Sequence, residues 1–325
     1  MRRATSSLRV PLAGVIALAW LAAASSVAGA ADKPMRFVRF QAGNAVSYGI
    51  VEGEQVRAID AAPFADWNPT DQVYPLESVK LLAPVERPSQ ILALAGSYKS
   101  HLGGSDLVTT VVTTTKVTTR GADGQHTSDS KTTVEVEKPG EVPAKFQIPQ
   151  FFFKCPSCLV GPGDNVVIPR GTNEVHFEAE LVIVIGRKAK NVSADDARAC
   201  ILGVTCGNDI SARDWQKSDV QWWRAKGSDT FGPLGPVIVS GLDYNNLKLQ
   251  LRQNGKVMQQ ASTSELIHNV AETVSFASRY ITLNPGDLIF TGTPGKTSAI
   301  KPGDKLEVEI EGIGTLANPV VAAGD

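Results

Sequence analysis

The chain has 325 residues, 32 of them basic and 33 acidic, so its formal net charge is −1. This balance excludes the large basic surface that nucleic acid or an anionic membrane attracts, and we expect neither partner. No long apolar run follows the first thirty residues, and the remaining length is enough for one large soluble domain and a smaller one.

The first thirty residues have the layout of a secretory signal peptide. Arginines near the start precede a short apolar stretch, and the small residues Ala28 and Ala30 predict cleavage after Ala30. The alternative is a transmembrane anchor, which needs about 20 apolar residues and no cleavage site. We therefore expect the mature chain to be exported to a periplasm by the general secretory route, with no membrane segment after cleavage.

The order of the predicted elements indicates two domains in the mature chain. Residues 35–62 read as short strands joined by Gly and Asn, which predicts a β-meander in a small N-terminal β domain at 35–88. The main domain at 89–323 follows, with short strands between Gly-Pro and Pro-Gly-Asp turns. Only residues 193–202 and 264–281 read as helices. The predicted fold class is therefore α+β and strand-rich.

A Thr- and Val-rich segment at residues 105–138 interrupts the main domain. Threonine and valine favour strands, and the letters "GADGQ" within it suit a hairpin turn. A disordered loop of low complexity is the alternative. We expect a protruding β-hairpin that serves as a lid or a docking arm.

Four cysteines lie at positions 155, 158, 200 and 206. In an oxidising compartment, the spacing of Cys155 and Cys158 suits a disulfide. A thioredoxin-like redox motif would need a helix that begins at the motif, whereas this stretch leads into a Pro/Gly turn. The unequal spacing of the two pairs is poor for zinc, so free or disulfide-bonded structural cysteines are expected.

Three carboxylates predict a metal site. In the stretch "VHFEAELVIVIG", Glu178 and Glu180 share one face of a predicted strand, beside His176. Two like charges held this close need a cation or protons between them, unless the strand end is solvated. A second stretch, "GVTCGNDISARDWQ", places Asp209 at another strand end and completes an all-oxygen site. Such oxygen ligands suit Mg²⁺ or Mn²⁺, with Ca²⁺ possible, better than zinc.

Five motifs carry a resemblance to a known family: "HFEAELVIVIG", "GNDISARDWQ", "AKGSDTFGPLGPVIV", "LIFTGTPGKTSAIKPGD" and "IEGIGTL". In this order they resemble the fumarylacetoacetate hydrolase family over essentially the whole mature sequence. The resemblance implies a catalytic domain of mixed β-sheet or β-roll type, a divalent metal and a homodimer.

The family pattern can be placed on this sequence residue by residue. Its metal triad falls on Glu178, Glu180 and Asp209, its catalytic lysine on Lys226, and a histidine suited to acid–base work on His101. The positions that correspond to substrate contacts are Tyr98, Lys154, Arg213, Gln216, Thr230 and Thr293.

The resemblance implies a hydrolase that acts on carbon–carbon bonds of a small 2-oxo acid, of the acylpyruvate or fumarylpyruvate type, through a metal-stabilised enolate. Hydrolytic members carry a glutamate three residues after the histidine, where this chain has Gly104. That departure favours an oxaloacetate-type decarboxylase or a 2-hydroxymuconate-type isomerase on the same site. A periplasmic oxo-acid-binding protein without turnover is the remaining alternative, although no catalytic position is lost.

Overall fold

A computed structural model describes residues 34–102, 115–121, 124–130 and 142–324. The predicted signal peptide at 1–30 lies outside these described residues. Within them, no helix is both long enough and apolar enough to cross a membrane.

The N-terminal strands are β1 (Arg36–Ala42), β2 (Ala45–Glu52), β3 (Gln55–Ile59), β4 (Pro69–Pro75) and β5 (Lys80–Leu82). Strands β1 to β4 pair antiparallel in sequence order, which is the predicted meander. Strand β1 also pairs with a strand of the catalytic part, so the meander extends a larger sheet and does not form a sheet of its own.

The remaining strands of the described chain are β6 (Ile91–Ala95), β7 (Thr115–Gly121), β8 (Gly124–Ser130), β9 (Gln150–Lys154), β10 (Leu159–Val160), β11 (Val166–Ile168), β12 (Val175–His176), β13 (Ala179–Ile185), β14 (Ile201–Asn208), β15 (Ser211–Ala212), β16 (Gly232–Val239), β17 (Lys248–Gln253), β18 (Lys256–Ser262), β19 (Leu288–Phe290), β20 (Lys305–Ile310) and β21 (Gly314–Ala322). The α-helices are α1 (Ala194–Ala197), α2 (Arg213–Ser218), α3 (Trp223–Gly227) and α4 (Val270–Tyr280).

Two large sheets form the body. The first has the order β4-β3-β2-β1-β16-β14-β13-β19-β6-β9, with β5 added on β1 and β10 on β16. Its pairs are antiparallel except for β19 with β6 and β10 with β16. The second sheet has the order β11-β21-β20-β17-β18. This architecture confirms the predicted strand-rich α+β class.

Strand β13 lies at the centre of the first sheet. It pairs with β14 on one side and β19 on the other, and all seven of its residues are buried. A strand covered on both faces reads as a continuous aliphatic run, which explains "LVIVI" after the second glutamate. The centre of this core therefore positions Glu180 and holds it away from water.

The helices are shorter than predicted. Ser193 caps α1 as expected, but the helix ends after four residues because strand β14 begins at Ile201. Helix α4 starts only after Asn269, whose side chain forms a capping box with Glu272, and a separate capped turn occupies residues 263–265. Helices α2 and α3 were not predicted, because five or six residues are too few to show helical periodicity.

The Thr- and Val-rich segment contains the predicted hairpin. Strands β7 and β8 pair antiparallel, and Gly121 lies opposite Gly124 across the two-residue connection. The rest of the 105–138 segment lies outside the described residues.

All four cysteines are free in the structure, which is one of the two states expected from the sequence, and Cys155 and Cys158 form no disulfide. The sulfur atoms of Cys155 and Cys158 lie beside different glycines. A Cβ atom built on Gly227 would lie 3.1 Å from the Cys155 sulfur, and one built on Gly232 would lie 2.6 Å from the Cys158 sulfur. The two thiols therefore fill space beside neighbouring glycines.

Candidate active site

Three buried carboxylates meet at one end of the β13–β14 pair. Ala179 on β13 lies opposite Asn208 on β14, so Glu178 and Asp209 adjoin the same pair of residues. A hydrogen bond of 2.9 Å from the Asp209 amide to the Glu178 carbonyl closes this corner. One oxygen from each of Glu178, Glu180 and Asp209 lies within 4.8 Å of the others, and the structure thus produces the predicted convergence.

The strand that carries the glutamates is interrupted, which the sequence did not predict. β12 ends at His176 and β13 begins at Ala179, because the Glu178 amide donates to the Asn208 side chain at 2.9 Å instead of joining the ladder. His176 consequently does not point with the carboxylates. Its ring nitrogens contact Thr297 at 2.8 Å and Glu174 at 3.0 Å, and burial together with the nearby Arg213 lowers its pKa.

Two of the three carboxylates have cationic partners. The Lys226 Nζ donates to Glu178 and to Asp209, at 2.7 Å each. Arg213 Nη2 donates to Glu178 at 2.6 Å, and Lys154 Nζ donates to Asp209 at 2.6 Å. Burial alone would raise the pKa of Glu178, but the charges of Lys226 and Arg213 outweigh it and lower that pKa to about 2.

Glu180 is the carboxylate of the triad to which no Lys or Arg side chain of the described residues is bonded. Its Oε2 accepts a 2.7 Å hydrogen bond from the Gly292 amide, while its Oε1 is buried and has no partner among the described residues. Burial and the neighbouring Asp209 and Glu178 raise the pKa of Glu180 well above its usual range. An orphaned carboxylate oxygen beside two other carboxylates fits a divalent cation with oxygen ligands.

Glycine is the residue type that fits position 292, beside Glu180. Its φ of +89° is in the left-handed region, and an added Cβ atom would lie 1.8 Å from the Ser97 hydroxyl oxygen. The glycine therefore allows its amide to approach Glu180.

A cleft of about 330 Å³ adjoins the carboxylates. Its polar side chains are His101, Lys145, Glu178, Arg213, Gln216, Lys226 and Thr293. Its larger apolar side chains are Leu94, Leu102, Phe146, Phe152 and Trp222. The Phe152 and Trp222 rings meet edge to face at 5.3 Å, and the Lys226 Nζ lies 5.3 Å from the Phe152 ring centre. The reactive groups thus share one cleft with an aromatic wall.

Comparison with protein families agrees with this geometry. Residues 117–321 match the model described as fumarylacetoacetate (FAA) hydrolase C-terminal, and residues 35–84 match that described as Rv2993c-like, N-terminal. The first match spans more than half of the chain. The chain belongs to the fumarylacetoacetate hydrolase family.

Relatives in this family match most of the chain. Protein Rv2993c of Mycobacterium tuberculosis is 38% identical over 300 residues, which are 89% of this chain and 99% of that protein. The mitochondrial oxaloacetate tautomerase FAHD2A of Homo sapiens is 34% identical over 261 residues, which are 77% of this chain and 72% of that protein.

Solved structures of the fumarylacetoacetate hydrolase family have the same fold. The 2-hydroxyhepta-2,4-diene-1,7-dioate isomerase of Mycobacterium marinum has a TM-score of 0.73 and 39% identity, covering 90% of this chain and all of that one. The maleylpyruvate hydrolase of Sphingobium sp. SYK-6, in complex with manganese(II) and pyruvate, has a TM-score of 0.65 and 26% identity over 89% of this chain and all of that one. The predicted family fold is confirmed, and these family members are enzymes of more than one reaction type.

Among the residues predicted to contact substrate, Arg213, Gln216 and Thr293 line the cleft. The Thr293 hydroxyl is already engaged, since it donates to the Ala179 carbonyl and accepts from Gln259, at 2.9 Å each. It can therefore accept one further hydrogen bond but has no free proton to donate.

The structure places the other three away from the cleft lining. Lys154 is buried, and its Nζ donates to Asp209 and to the carbonyls of Lys226 and Phe231. Tyr98 is fully buried, and burial raises its pKa. The Thr230 hydroxyl accepts from the Val167 amide at 2.8 Å. Of these three side chains, Lys154 is the one that bonds to a described residue of the triad.

His101 lies in the cleft in a defined hydrogen-bonding state. Its Nδ1 is 2.7 Å from the carbonyl oxygen of Gly295, which can only accept, so the ring proton is on Nδ1. The Nε2 atom has no partner among the described residues and can therefore take a proton. No carboxylate of the described chain bonds to this ring, and Gly104 lies outside the described residues.

Several cleft residues were missed from the sequence. Phe152 and Trp222 form the aromatic wall, and Lys145 and Phe146 form part of the rim. The aromatic runs "FFFK" and "QWW" were available as signals, but such runs are more often core than ligand contacts. Only the packing of α3 against β9 brings the two runs together.

Proposed function

We propose that this family member is a divalent-metal-dependent enzyme that interconverts the enol and keto forms of a small 2-oxo acid by moving a proton. The observation that carries the proposal is the buried carboxylate triad, with the unpartnered Oε1 of Glu180, beside a cleft that holds Lys226 and His101. Orphaned negative charge, a cation and an available base within one cleft are the parts that enol–keto chemistry needs.

Glu178, Glu180 and Asp209 would hold the cation, as Mg²⁺ or Mn²⁺ with Ca²⁺ possible. A bound cation supplies Lewis-acid polarisation of the 2-oxo group. The manganese(II) and pyruvate in the structure of the maleylpyruvate hydrolase of Sphingobium support a 2-oxo acid as the class of substrate here.

Arg213 is suited to bind the substrate carboxylate. It donates to Glu178, Thr297 and Gln216, which leaves its Nε–H and one Nη1 hydrogen without a partner in the described chain. A guanidinium held on several sides presents its remaining donors in a fixed orientation, and each of them can donate one hydrogen bond to a substrate carboxylate.

Lys226 and His101 are the groups that would move the proton. Lys226 is 2% exposed and ion-paired to two of the carboxylates, so its ammonium stays at the site. His101 carries its ring proton on Nδ1 and can accept another on Nε2. Together they provide one donor and one acceptor in the same cleft.

Two observations favour proton transfer over carbon–carbon hydrolysis. The tautomerase and the isomerase are 34% and 39% identical to this chain, whereas the maleylpyruvate hydrolase is 26% identical. In addition, His101 is held by a backbone carbonyl. Activating water requires an imidazole whose positive form is stabilised, and a carboxylate does this better than a carbonyl.

Hydrolysis of an acylpyruvate is the second candidate, and the aromatic wall of the cleft favours it. Phe152 and Trp222 offer apolar surface that a compact dicarboxylate does not need and that an acyl tail would cover.

Assays of the mature protein test these candidates side by side. Enol-oxaloacetate is followed by loss of its ultraviolet absorbance, and acetylpyruvate and fumarylpyruvate by release of pyruvate, with Mn²⁺ and with a chelator. We expect rapid ketonisation that needs the metal, and a fall in kcat of about 10²- to 10⁴-fold in Lys226→Met.

The matched control is Lys256→Met, at an exposed lysine, which should keep full activity. Faster cleavage of an acylpyruvate than ketonisation of oxaloacetate would make the hydrolase the correct assignment, and release of CO₂ would identify a decarboxylase. Binding of these acids without turnover would identify a non-catalytic binding protein.

A further inference from the structure

We infer that Thr297 and His176 are positioning residues that hold Arg213 for the substrate, with a ring proton of His176 on Nε2. This inference rests on the proposed role of Arg213 at the substrate carboxylate. The two residues belong to a continuous hydrogen-bonded chain that runs from Glu174 to Glu178.

The chain consists of four short contacts. Glu174 Oε1 lies 3.0 Å from His176 Nε2, and His176 Nδ1 lies 2.8 Å from the Thr297 hydroxyl. Arg213 Nη2 donates to that hydroxyl at 2.9 Å and to Glu178 Oε1 at 2.6 Å. A surface carboxylate is thereby connected to a buried one through three intervening side chains.

Two of the bond directions follow from atoms that can only donate or only accept. A guanidinium can only donate, so the Thr297 oxygen accepts from Arg213 and keeps its own hydroxyl proton, which it can donate to the Nδ1 of His176. The Glu174 carboxylate can only accept, so the Nε2 of His176 carries a proton and donates it to Glu174.

This arrangement separates His176 from metal binding. A histidine two residues before a glutamate pair is an obvious candidate ligand, but here both of its ring nitrogens already have partners. His101 is in the opposite state, because its Nδ1 donates to a carbonyl. One histidine is thus oriented for support and the other for proton transfer.

The backbone around strand β12 supports the same interpretation. The Arg213 amide donates to the Glu174 carbonyl at 2.7 Å, and the Ile300 amide donates to the Val175 carbonyl at 2.8 Å. The segment that carries Thr297 and the start of helix α2 are therefore both attached to β12. The hydroxyl of Thr297 extends this attachment to the guanidinium itself.

Thr297→Val tests the inference, because valine keeps the shape and removes the hydroxyl. We expect KM for oxaloacetate to rise about tenfold, the size of one lost hydrogen bond to a charged group, with a smaller change in kcat. Manganese affinity and the melting temperature should remain near those of wild type, and Thr297→Ser should restore KM. The matched control is Thr70→Val, a partly buried hydroxyl bonded to the Ala58 carbonyl.

Two further measurements keep the test independent of turnover. Calorimetric binding of oxalate to the manganese-loaded protein should weaken in Thr297→Val even if the wild type proves inactive on oxaloacetate. Ring ¹⁵N shifts, assigned by comparison with His176→Phe, should show a proton on Nε2. Unchanged KM and oxalate affinity in Thr297→Val, or an Nε2 of His176 that carries no proton, would overturn the inference.

Discussion

The three acidic residues of the triad have the same chemistry and different neighbours. Glu178 is paired with Lys226 and Arg213, and Asp209 with Lys226 and Lys154. Glu180 is fully buried and has one amide donor and no cation among the described residues. A buried carboxyl without a cationic partner costs folding free energy at neutral pH, because it must either stay charged in the interior or take up a proton, so Glu180 is kept at the expense of stability.

Glu180→Gln therefore separates function from stability. We expect affinity for Mn²⁺ to fall by about a hundredfold or more, because a direct ligand is lost. The metal-free variant should be as stable as wild type or more stable, since a buried carboxyl without a cationic partner is removed. Calorimetric titration with Mn²⁺ and urea unfolding with a chelator measure the two effects.

Glu178→Gln is the contrasting variant. It leaves Arg213 without the Glu178 carboxylate and Lys226 with only that of Asp209, and we expect the metal-free protein to lose about 3–5 kcal/mol of stability. Glu77→Gln, at an exposed position, should change neither property. Equal destabilisation by the variants at 178 and 180 would show that Glu180 has a purely structural role.

Three turns of the same sequence pattern close loops between elements. In "GPGD", "NPGD" and "KPGD", the final aspartate accepts a hydrogen bond from the amide three residues earlier, at 2.7 to 2.9 Å. The glycine before it has a φ between +79° and +93° in each case. Proline followed by a left-handed glycine is the pattern of a type II turn, and the aspartate closes it.

Asp304 of the third turn predicts a pH dependence of stability. It also accepts from Gln253 and Asn254, at 2.7 and 2.9 Å, and so ties this turn to the β17–β18 connection. Burial alone would raise its pKa, but hydrogen bonds from Asn254 and the Lys301 amide outweigh it and lower the pKa below 3.8. This stabilisation is present above pH 3.8 and is lost as the pH falls through the folded-state pKa.

We expect Asp304→Asn to cost about 1–3 kcal/mol at neutral pH, and the difference from wild type to shrink as the pH falls below 3.8. Urea unfolding across this pH range measures it, with Asp71→Asn at an exposed position as the control. A cost that does not vary with pH would mean that shape, and not charge, is what matters at this position.

The hairpin of β7 and β8 is an element whose strands pair with each other. We predict that replacement of residues 105–138 by a short Gly/Ser linker leaves folding and manganese affinity unchanged, because no triad residue lies in the segment. Substrate affinity or choice should change, since His101 and Phe146 of the cleft flank the exchanged segment. Failure to fold would place the segment in the core, and unchanged kinetics would favour a docking arm.

At the scale of the whole molecule, large apolar side chains remain exposed near the cleft. Phe153, Val220 and Trp223 are 59%, 96% and 64% exposed. Phe153 lies on β9 and Trp223 on α3, which pack against each other, and Val220 lies between α2 and α3. Exposed apolar groups of this size mark interaction surfaces. We propose that a second copy covers them in a homodimer.

Sedimentation of the mature protein at micromolar concentration should give twice the mass of one chain, and Trp223→Asp should shift it towards the monomer. Tyr280→Asp, at a residue 70% exposed on helix α4, serves as the control and should stay dimeric. A monomeric wild type would reject the proposal.

We also propose that the protein is exported to the periplasm as a processed chain. Mass spectrometry of the periplasmic fraction should find a mature N-terminus at Ala31, immediately after the predicted cleavage site. Full-length protein that remains in the cytoplasm would contradict the assignment.

The sequence by itself determined the elements whose cause is local or repeated. Alternation of apolar and polar residues predicted the meander at 35–62, and Pro-Gly-Asp patterns predicted the turns. The aliphatic run after Glu180 marked the central strand. Five motifs in order were enough to identify the family. Each is a run of neighbouring residues, and it can be recognised without knowing which distant residues it contacts.

Only the tertiary structure decided which residues of the site contact one another. The break between β12 and β13, caused by the Asn208 side chain, turns His176 away from the carboxylates and towards Thr297. The contact of Lys154 with Asp209 joins residues far apart in the chain. Charge pairing and burial depend on which strands become neighbours in the folded sheet, and adjacency along the chain does not contain that information.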